Sequence, residues 1–406
     1  MKNNEFRIIK RDNFDKVKLD WIWLLLVFLF SLNLYNNAFY ILIVTLLVGA
    51  GITYYKGSRF KVTVEFILLI LFSFSYFLIL HINSILGFFE MALYLFCPIG
   101  CFFIGYFIVQ SKKKLIVNTI FAIAVGNFLY GTLNMFNYFN AYGFTSTERN
   151  VPDIWTGIYM AATLQGAHFT LLTSLLFFGI AITKNNNMAK VIILLAGIIF
   201  SIFSSLILGN RTLIITTIAI FLVNTLLYFV LTKNNIKQLI RMYMYIGFFI
   251  LIMTLIYNMN LFGVKDFIFS SQFANRIEET SINEDPRLAV YGNALNQMFD
   301  YPFGGYQMDL GLEYAHNLWI DVLYASGLIP FFFLLLYTIK TLYNLYFILR
   351  NQHIELLFKI LILSIYLGYL LNFMVEPILE GTPYMFFSFC IINGMISKYK
   401  FISKNP

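Results

Sequence analysis

Apolar segments, each about long enough to cross a bilayer as a helix, recur along the whole chain and constrain its fold more than any other feature. A helix needs roughly 20 mostly apolar residues to cross a bilayer. Twelve such windows lie near residues 21–36, 38–55, 62–80, 88–109, 115–137, 160–183, 189–208, 212–231, 241–262, 316–339, 355–375 and 382–397. Hydrophobic residues make up 60% of the chain and charged residues only 12%, which excludes a soluble globular protein. The sequence therefore predicts an all-α, polytopic integral membrane protein with about 12 transmembrane helices.

The distribution of cations predicts the orientation of these helices. If the N-terminus is cytoplasmic, 23 of the 28 Lys and Arg residues fall in cytoplasmic loops or termini. Cytoplasmic loops of membrane proteins carry such an excess of positive charge. We therefore expect both termini in the cytoplasm and the first span to be retained as an anchor. The cations predicted on the outer side are Arg149, Arg211, Lys265, Arg276 and Arg287.

One predicted outer connection is much longer than the others and divides the chain. We expect nine transmembrane helices in residues 1–262, a large extracytoplasmic loop in residues 263–315 and three transmembrane helices in residues 316–406. Loops of this length usually have a function or are disordered. Gly327 and Pro330 interrupt the tenth apolar segment, so a break in that helix is expected.

The long loop carries the signals of an ordered helix. Asp285 can cap a helix, and Pro286 suits the first helical position. Apolar residues then recur at helical spacing, and these residues are Leu288, Tyr291, Leu295 and Met298. We expect an amphipathic helix that lies over the mouth of the bundle.

An arginine stands in the short outer turn between spans seven and eight. Asn210 is a good N-cap residue, which puts Arg211 in the first turn of the next helix. A cation there opposes the helix macrodipole. An anion bound at this helix start would be held by free backbone N–H groups and by the guanidinium group. The alternative is an arginine that reaches lipid headgroups.

Two arginines of the long loop are further candidates for binding an anion. Arg287 follows Pro286 in the first turn of the loop helix, again at a positive helix end. Arg276 lies eleven residues earlier in the same loop. Both have alternative partners, since acidic residues lie close to each of them in the sequence.

Three more polar residues are predicted at the same face. His316 and Asn317 open span ten, and a histidine can accept a proton near neutral pH. A structural histidine at the interface is the alternative. Glu380 borders the last outer turn, where it serves either a site or a helix cap. No metal-ligand spacing of His, Cys or carboxylate residues occurs on this face, so we expect no metal and no cofactor.

Four segments in the second half of the chain together resemble a known family. They are SSLILGNRT (204–212), DPRLAVYGNALNQMFDYPFGGY (285–306), AHNLWIDVLYASGLIP (315–330) and EPILEGTP (376–383). In this order they resemble the superfamily of O-antigen ligases and Wzy-type polysaccharide polymerases. The resemblance covers mainly residues 200–395, and the N-terminal half is similar only as a series of spans.

Members of that superfamily are metal-independent, GT-C-like membrane glycosyltransferases that move glycans off undecaprenyl pyrophosphate on the outer side of the membrane. The resemblance implies that Arg211 and Arg287 bind the donor pyrophosphate, with Arg276 competing for the second position. It implies that His316 acts on the acceptor hydroxyl in an inverting displacement. Asn317 and Glu380 are the remaining candidates for binding substrate.

The sequence and the resemblance together predict a polymerase for a capsular polysaccharide, an exopolysaccharide or an O-antigen in the cytoplasmic membrane. Its expected partners are lipid-linked oligosaccharides as donor and acceptor, membrane lipid, a flippase and a chain-length regulator, without nucleic acid. A ligase that uses a different acceptor is the nearest alternative. A lipid-linked oligosaccharide flippase or transporter is the alternative from another class, although the charged residues cluster at span ends rather than at the bilayer centre.

Overall fold

Nearly all of the described chain is helical. The computed structural model describes residues 19–56, 60–109, 113–144, 146, 148–182, 188–231, 286–312 and 314–404, with scattered positions between 240 and 274. Helices α1 to α9 are Leu19–Ser31, Ala38–Lys56, Val64–Ile82, Phe88–Ile108, Lys113–Tyr142, Ala162–Ser174, Leu176–Ile182, Met188–Leu208 and Arg211–Leu231. Helices α10 to α15 are Pro286–Gln297, Leu318–Ser326, Leu328–Arg350, Leu356–Phe373, Ile378–Gly381 and Pro383–Lys404. Two two-residue strands, Val151–Pro152 and Tyr159–Met160, pair antiparallel in the loop after α5. The predicted all-α class is confirmed.

The chain is a membrane protein by the length and composition of its helices. Among the described residues, α3, α4, α5, α9, α12 and α13 are long and apolar enough to cross a membrane. Three shorter apolar stretches, Leu19–Ser31, Ala38–Gly51 and Leu194–Leu208, accompany them. The predicted ninth span, near residues 241–262, falls mostly outside the described residues.

Two predicted spans are interrupted in the structure. The predicted break at Gly327 is confirmed, because this residue separates α11 from α12 with a left-handed φ of 77°. A side chain there would also collide with the chain, since an added Cβ would lie 2.1 Å from the Pro302 carbonyl oxygen. The window at 160–183 was predicted as one span, but Leu175 separates α6 from α7.

Helices α4 and α15 pack closely at two glycines. A Cβ on Gly105 of α4 would lie 2.1 Å from the Ile391 carbonyl oxygen, and a Cβ on Gly394 of α15 would lie 2.0 Å from that of Phe102. Small residues let helix backbones approach each other inside a membrane, where packing replaces the hydrophobic effect as the main attraction. This contact fixes the last helix against the first half of the bundle.

One end of the bundle is rich in lysine, and we call it the Lys-rich end. Here Lys113 forms an ion pair with Glu355 and the Lys61 ammonium lies 4.7 Å from the Phe401 ring centre. The buried Glu65 carboxylate also accepts hydrogen bonds from Asn344 (3.0 Å) on α12 and Ser397 (2.6 Å) on α15. The opposite end, which carries the loops 143–161 and 298–317, is called the long-loop end.

The helix predicted in the long loop is present as α10, and it begins at Pro286 as expected. Its buried face is formed by Val290 and Ala294, which are 2% and 0% exposed. The predicted apolar stripe is wrong at Leu288 and Leu295, which are both exposed. The other two residues of the predicted stripe, Tyr291 and Met298, pack with Val290 and Ala294 in the cluster shared with α11, so the stripe is confirmed in part. The expected cap residue, Asp285, lies outside the described residues.

The α4–α15 contact predicts the effect of adding one methyl group. Gly394→Ala should lower the unfolding temperature of the protein in detergent by several degrees, because overpacking a tight contact costs about 1–3 kcal/mol. Gly51→Ala on α2 is the matched control, since an added Cβ there meets nothing within 4 Å. The control should keep or raise the transition temperature, because alanine favours a helix over glycine. Equal transitions for Gly394→Ala and wild type, measured by fluorescence-detected thermal unfolding, would contradict the proposed contact.

Candidate functional site

The turn between α13 and α14, residues 374–377, joins the long loop to the bundle. The Met374 carbonyl oxygen accepts hydrogen bonds from the Tyr291 hydroxyl on α10 (3.0 Å) and from the Asn317 amide at the start of α11 (3.4 Å). A carbonyl oxygen has two lone pairs, so one atom can hold both segments. The start of α11 and the face of α10 are therefore held beside the same turn.

The turn between α8 and α9 is fixed by the predicted cap residue. The Asn210 side-chain oxygen accepts a hydrogen bond from the Leu213 N–H (3.2 Å), which confirms it as the N-cap of α9. Its amide nitrogen donates to the Ala162 carbonyl oxygen (3.0 Å) and so ties this turn to the start of α6. Gly166 makes the contact possible, because a Cβ there would lie 1.8 Å from the amide nitrogen. Arg211 follows as the first residue of α9, partly exposed.

A narrow polar crevice connects the α8–α9 turn with the α13–α14 turn. It is lined by Asn210 and Thr212 on one side and by Glu376 on the other. Glu376 is only 1% exposed, and burial raises the pKa of its carboxyl to about 8. The positive charge of Arg287 and a hydrogen bond from Thr163 act in the opposite direction on this pKa. Arg287, at the start of α10, therefore lies within electrostatic range of the crevice.

The backbone around His316 is held by a buried carboxylate. His316 has a left-handed φ of 53°, which is uncommon for a residue other than glycine. The Asp321 carboxylate accepts hydrogen bonds from the N–H groups on either side of it, those of Ala315 (2.8 Å) and Asn317 (3.0 Å). The Asn317 side chain in turn caps α11 by accepting from the backbone of its first turn. His316 is thus a half-buried residue on a rigidly supported bend.

The structure brings together three of the predicted site segments. The residue before Arg211 lines the crevice with Glu376, the charge of Arg287 reaches Glu376, and Asn317 contacts Met374 directly. His316 adjoins this group as the neighbour of Asn317. The third candidate arginine, Arg276, lies outside the described residues.

Sequence reasoning missed three residues that shape this group. Glu376 opens the EPILEGTP segment, but nothing in the sequence marks it as fully buried. Asp321 stands four residues after Asn317 on α11, a spacing at which a helical side chain can reach back to the helix start. The Arg149 side chain donates to the Leu208 carbonyl oxygen (3.4 Å), beside the α8–α9 turn. Arg149 is one of the five cations predicted on the outer side, and this was the sequence signal that could have identified it.

Glu380 lies at a separate feature, a cavity of about 1060 Å³ at the long-loop end. The cavity is lined by residues of α2 to α6 and α11, of the loops 143–161 and 298–317, and of the segment 379–384 that joins α14 to α15. Burial raises the pKa of the Glu380 carboxyl, and the negative charge of Asp321 raises it further. Within the described residues, its Oε2 atom has no hydrogen-bond partner. Glu380 is therefore placed in the cavity and not in the crevice.

The chemistry available at the long-loop end is that of cations, hydroxyls and carboxyls. In the part of the chain that the structure describes, no three His, Cys, Asp or Glu side chains are grouped to hold a metal ion. Guanidinium groups bind phosphate oxygens in a bidentate manner, and an imidazole can accept a proton. The segments around residues 374–377 carry both types of group.

No protein-family model matches the chain, and no curated protein matches its sequence. The resemblance described from the four sequence segments is therefore still a prediction.

Because burial raises the pKa of the Glu376 carboxyl, we expect the stability of the protein to depend on pH. The folded state keeps the Glu376 proton up to a pH of about 8, whereas the unfolded chain releases it near the ordinary value of 4.5. Raising the pH through this window therefore removes stability from the wild type. Glu376→Gln cannot ionise, so the unfolding temperature of this variant minus that of the wild type should increase from pH 5 to pH 8.

A matched control for this titration is Glu90→Gln, because Glu90 is an exposed carboxyl in the first turn of α4. Its unfolding temperature should follow the wild type at every pH. Thermal unfolding in detergent at one-unit pH intervals measures both variants. Parallel curves for Glu376→Gln and wild type would show that the Glu376 carboxyl does not hold a proton in the folded state.

Proposed function

We propose that the protein is a membrane glycosyltransferase that polymerises oligosaccharide repeat units. It transfers the growing or incoming glycan from undecaprenyl pyrophosphate to a lipid-linked acceptor without a metal ion. The observation that carries this proposal is the meeting, at residues 374–377, of segments bearing Arg211, Arg287 and His316. The four family-like sequence segments support the same assignment.

The proposed orientation places the long-loop end outside the cytoplasmic membrane. In this arrangement the chain crosses the membrane twelve times, with both termini in the cytoplasm. The distribution of 23 of the 28 Lys and Arg residues supports it. Contacts of Lys61, Lys113 and Lys400 with α12, α15 and the loop between α12 and α13 also group these cations at the Lys-rich end.

Arg211 and Arg287 would bind the donor pyrophosphate. Arg211 occupies the first position of α9, and Arg287 occupies the second position of α10. Each helix start adds backbone N–H groups and the positive end of a macrodipole. A planar guanidinium group can bind two phosphate oxygens at once, which a lysine ammonium does not. The two arginines would thus take the charge-neutralising role that a metal ion has elsewhere.

The proposed reaction is a single displacement at C1 of the donor sugar. The acceptor hydroxyl oxygen forms a bond to C1 while the bond from C1 to the pyrophosphate oxygen breaks. Negative charge then builds on the leaving pyrophosphate, where the two guanidinium groups stabilise it more than in the ground state. The acceptor proton passes to the His316 imidazole, and the configuration at C1 is inverted.

Glu376 would position Arg287 before the donor binds. Its carboxyl lies at the wall of the crevice, where the Thr163 hydroxyl donates to it and the Arg287 charge reaches it. The protonated, uncharged carboxyl can still accept a hydrogen bond from the guanidinium group, which would keep a long side chain near one orientation and limit the entropy lost on binding. The pyrophosphate, with its higher charge, then replaces the carboxyl as the main partner of the guanidinium group.

A topology experiment tests the proposed orientation. Gln307 at the long-loop end and Gln352 between α12 and α13 are exposed. We expect Gln307→Cys in intact cells to react with a membrane-impermeant maleimide, and Gln352→Cys to react only after permeabilisation. The native cysteines Cys97, Cys101 and Cys390 are buried, so the wild-type protein serves as the unlabelled control. Labelling of Gln352→Cys in intact cells would reverse the orientation.

Substitution of the two arginines tests the proposed site. Arg211→Ala and Arg287→Ala should each lower polymer formation roughly a hundredfold or more, as removal of a charge-stabilising group does in other enzymes. Arg→Lys at either position should restore little activity, because bidentate geometry is lost. His316→Ala should be severely impaired. The measurement is polymer formed by the protein reconstituted in liposomes with one lipid-linked oligosaccharide.

Arg350→Ala is the matched control for this series, because Arg350 is an exposed arginine at the end of α12, near the Lys-rich end. It should retain wild-type polymer formation. Full activity of Arg211→Ala would contradict the proposed pyrophosphate site. The same assay separates the alternatives, since a polymerase lengthens its product in repeat-unit steps, a ligase gives no ladder with a single substrate, and a flippase moves the lipid without forming a bond.

A further inference from the structure

The cavity at the long-loop end is lined by an unusual number of tyrosines. Eight of its lining residues are Tyr76, Tyr94, Tyr130, Tyr159, Tyr306, Tyr314, Tyr324 and Tyr384. Each has an aromatic ring that can pack against an apolar face. The hydroxyls of Tyr94, Tyr130 and Tyr384 are already hydrogen-bonded, to the Leu379 carbonyl oxygen, the Asp153 carboxylate and the His168 ring. Asparagine and threonine side chains add further hydrogen-bonding groups to the lining.

The charge of the cavity lining has one sign. Its ionisable carboxyls are Glu90, Asp153 and Glu380, and none of the described residues that line it is Lys, Arg or His. Asp153 is already engaged, because it accepts hydrogen bonds from the Tyr130 hydroxyl and from the backbone of the loop 143–161. The described lining therefore offers carboxyl groups and no positively charged side chain. An anionic ligand would meet repulsion without a compensating cation.

The size and chemistry of the cavity fit a chain of sugar rings. Pockets for small molecules have volumes of roughly 300–1,000 Å³. At about 1060 Å³, this cavity is large enough for several linked rings. Sugars carry hydroxyl groups on their edges and C–H groups on their faces, and tyrosines can match both. A lipid acyl chain would give no hydrogen bond to the Glu380 Oε2 atom, which has no partner among the described residues.

The cavity is separate from the crevice that adjoins the two arginines. The first turn of α6 lies between them, since Ala161 and Leu164 line the cavity while Thr163 and Gly166 line the crevice. At the cavity mouth, Tyr314 lies two residues before His316. A glycan in the cavity would thus extend from the neighbourhood of the imidazole, away from the pyrophosphate site.

We propose that this cavity binds the glycan portion of the substrate and selects an uncharged one, built from neutral sugars without uronic, sialic or other acidic residues. The inference rests on the proposed function for its identification of the ligand as a glycan. Beyond the proposed function, it states that the repeat unit is uncharged and that the cavity lining selects it by charge. Acidic repeat units are excluded because the described lining offers carboxylates and no cation.

Binding to an array of defined oligosaccharides tests this inference without requiring transfer. The full chain, purified in a non-ionic detergent and fluorescently labelled, is applied to neutral, amino-sugar and acidic oligosaccharides of three to six residues. We expect retention on one or more neutral glycans and none on acidic glycans of similar backbone. Retention of acidic glycans at the level of neutral ones, or no retention on any glycan, would overturn the inference.

A tyrosine pair provides matched variants for the array. Tyr159 lines the cavity and is 61% exposed, whereas Tyr40 on α2 is 62% exposed and does not line it. Tyr159→Ala should weaken binding of the retained glycan about tenfold, while Tyr40→Ala should bind as the wild type does. Because both side chains are mostly exposed, neither substitution should impair folding. Equal binding by the two variants would argue against the cavity as the glycan site.

A charge introduced into the cavity tests the selection directly. Ile158 lines the cavity with an exposed side chain, and Ile82 at the end of α3 is a similarly exposed isoleucine outside it. Ile158→Lys should allow acidic oligosaccharides to be retained, whereas Ile82→Lys should not. If neither variant changes the preference for neutral glycans, the lining charge does not set selectivity. Retention of neutral glycans by a wild-type protein that forms no polymer would instead contradict the transferase proposal alone.

Discussion

The two hydrogen bonds to the Met374 carbonyl oxygen are the contact on which the arrangement of the long-loop end depends. This carbonyl directly follows α13, where helix carbonyls have no partner within the helix. Tyr291 on α10 and Asn317 at the start of α11 both donate hydrogen bonds to the Met374 carbonyl oxygen. Without this contact, α10 and the start of α11 would have few polar links to the bundle. The position of Arg287 beside the bundle follows from it, while the Asp321 carboxylate supports the bend at His316.

Local patterns allowed much of the fold to be predicted. Most apolar windows coincide with described helices, because a segment that crosses a membrane must be apolar over its length, although the window 160–183 holds two helices and α12 continues eleven residues beyond the window 316–339. The Asn210 cap and the break at Gly327 were also predicted, because each depends only on the residue itself and its immediate neighbours in the sequence. The packed face of α10 was predicted only in part, because Tyr291 and Met298 pack in the cluster shared with α11 whereas Leu288 and Leu295 are exposed.

The candidate site was only partly visible in the sequence. Arg211, Arg287 and His316 stood out because charged residues are rare in this chain and each begins or precedes a helix. Glu376 did not, because burial of a carboxyl depends on helices distant in the sequence, here α6 and α9. The tyrosine-lined cavity could not be predicted from the sequence for a different reason. In a chain with 27 tyrosines, membership of one cavity is decided only by tertiary packing.

The long-loop end separates charge in a way that suits a substrate with two chemically different parts. The crevice side has arginines and the positive starts of α9 and α10, while the cavity side has carboxylates and hydroxyls. The first turn of α6 lies between the crevice and the cavity, and neighbouring residues of this turn line both. A lipid-linked glycan has a pyrophosphate at one end and hydroxyl-rich rings at the other. If both surfaces bind the same molecule, their opposite charge preferences would set its direction, because the pyrophosphate is repelled from the cavity and attracted to the arginines.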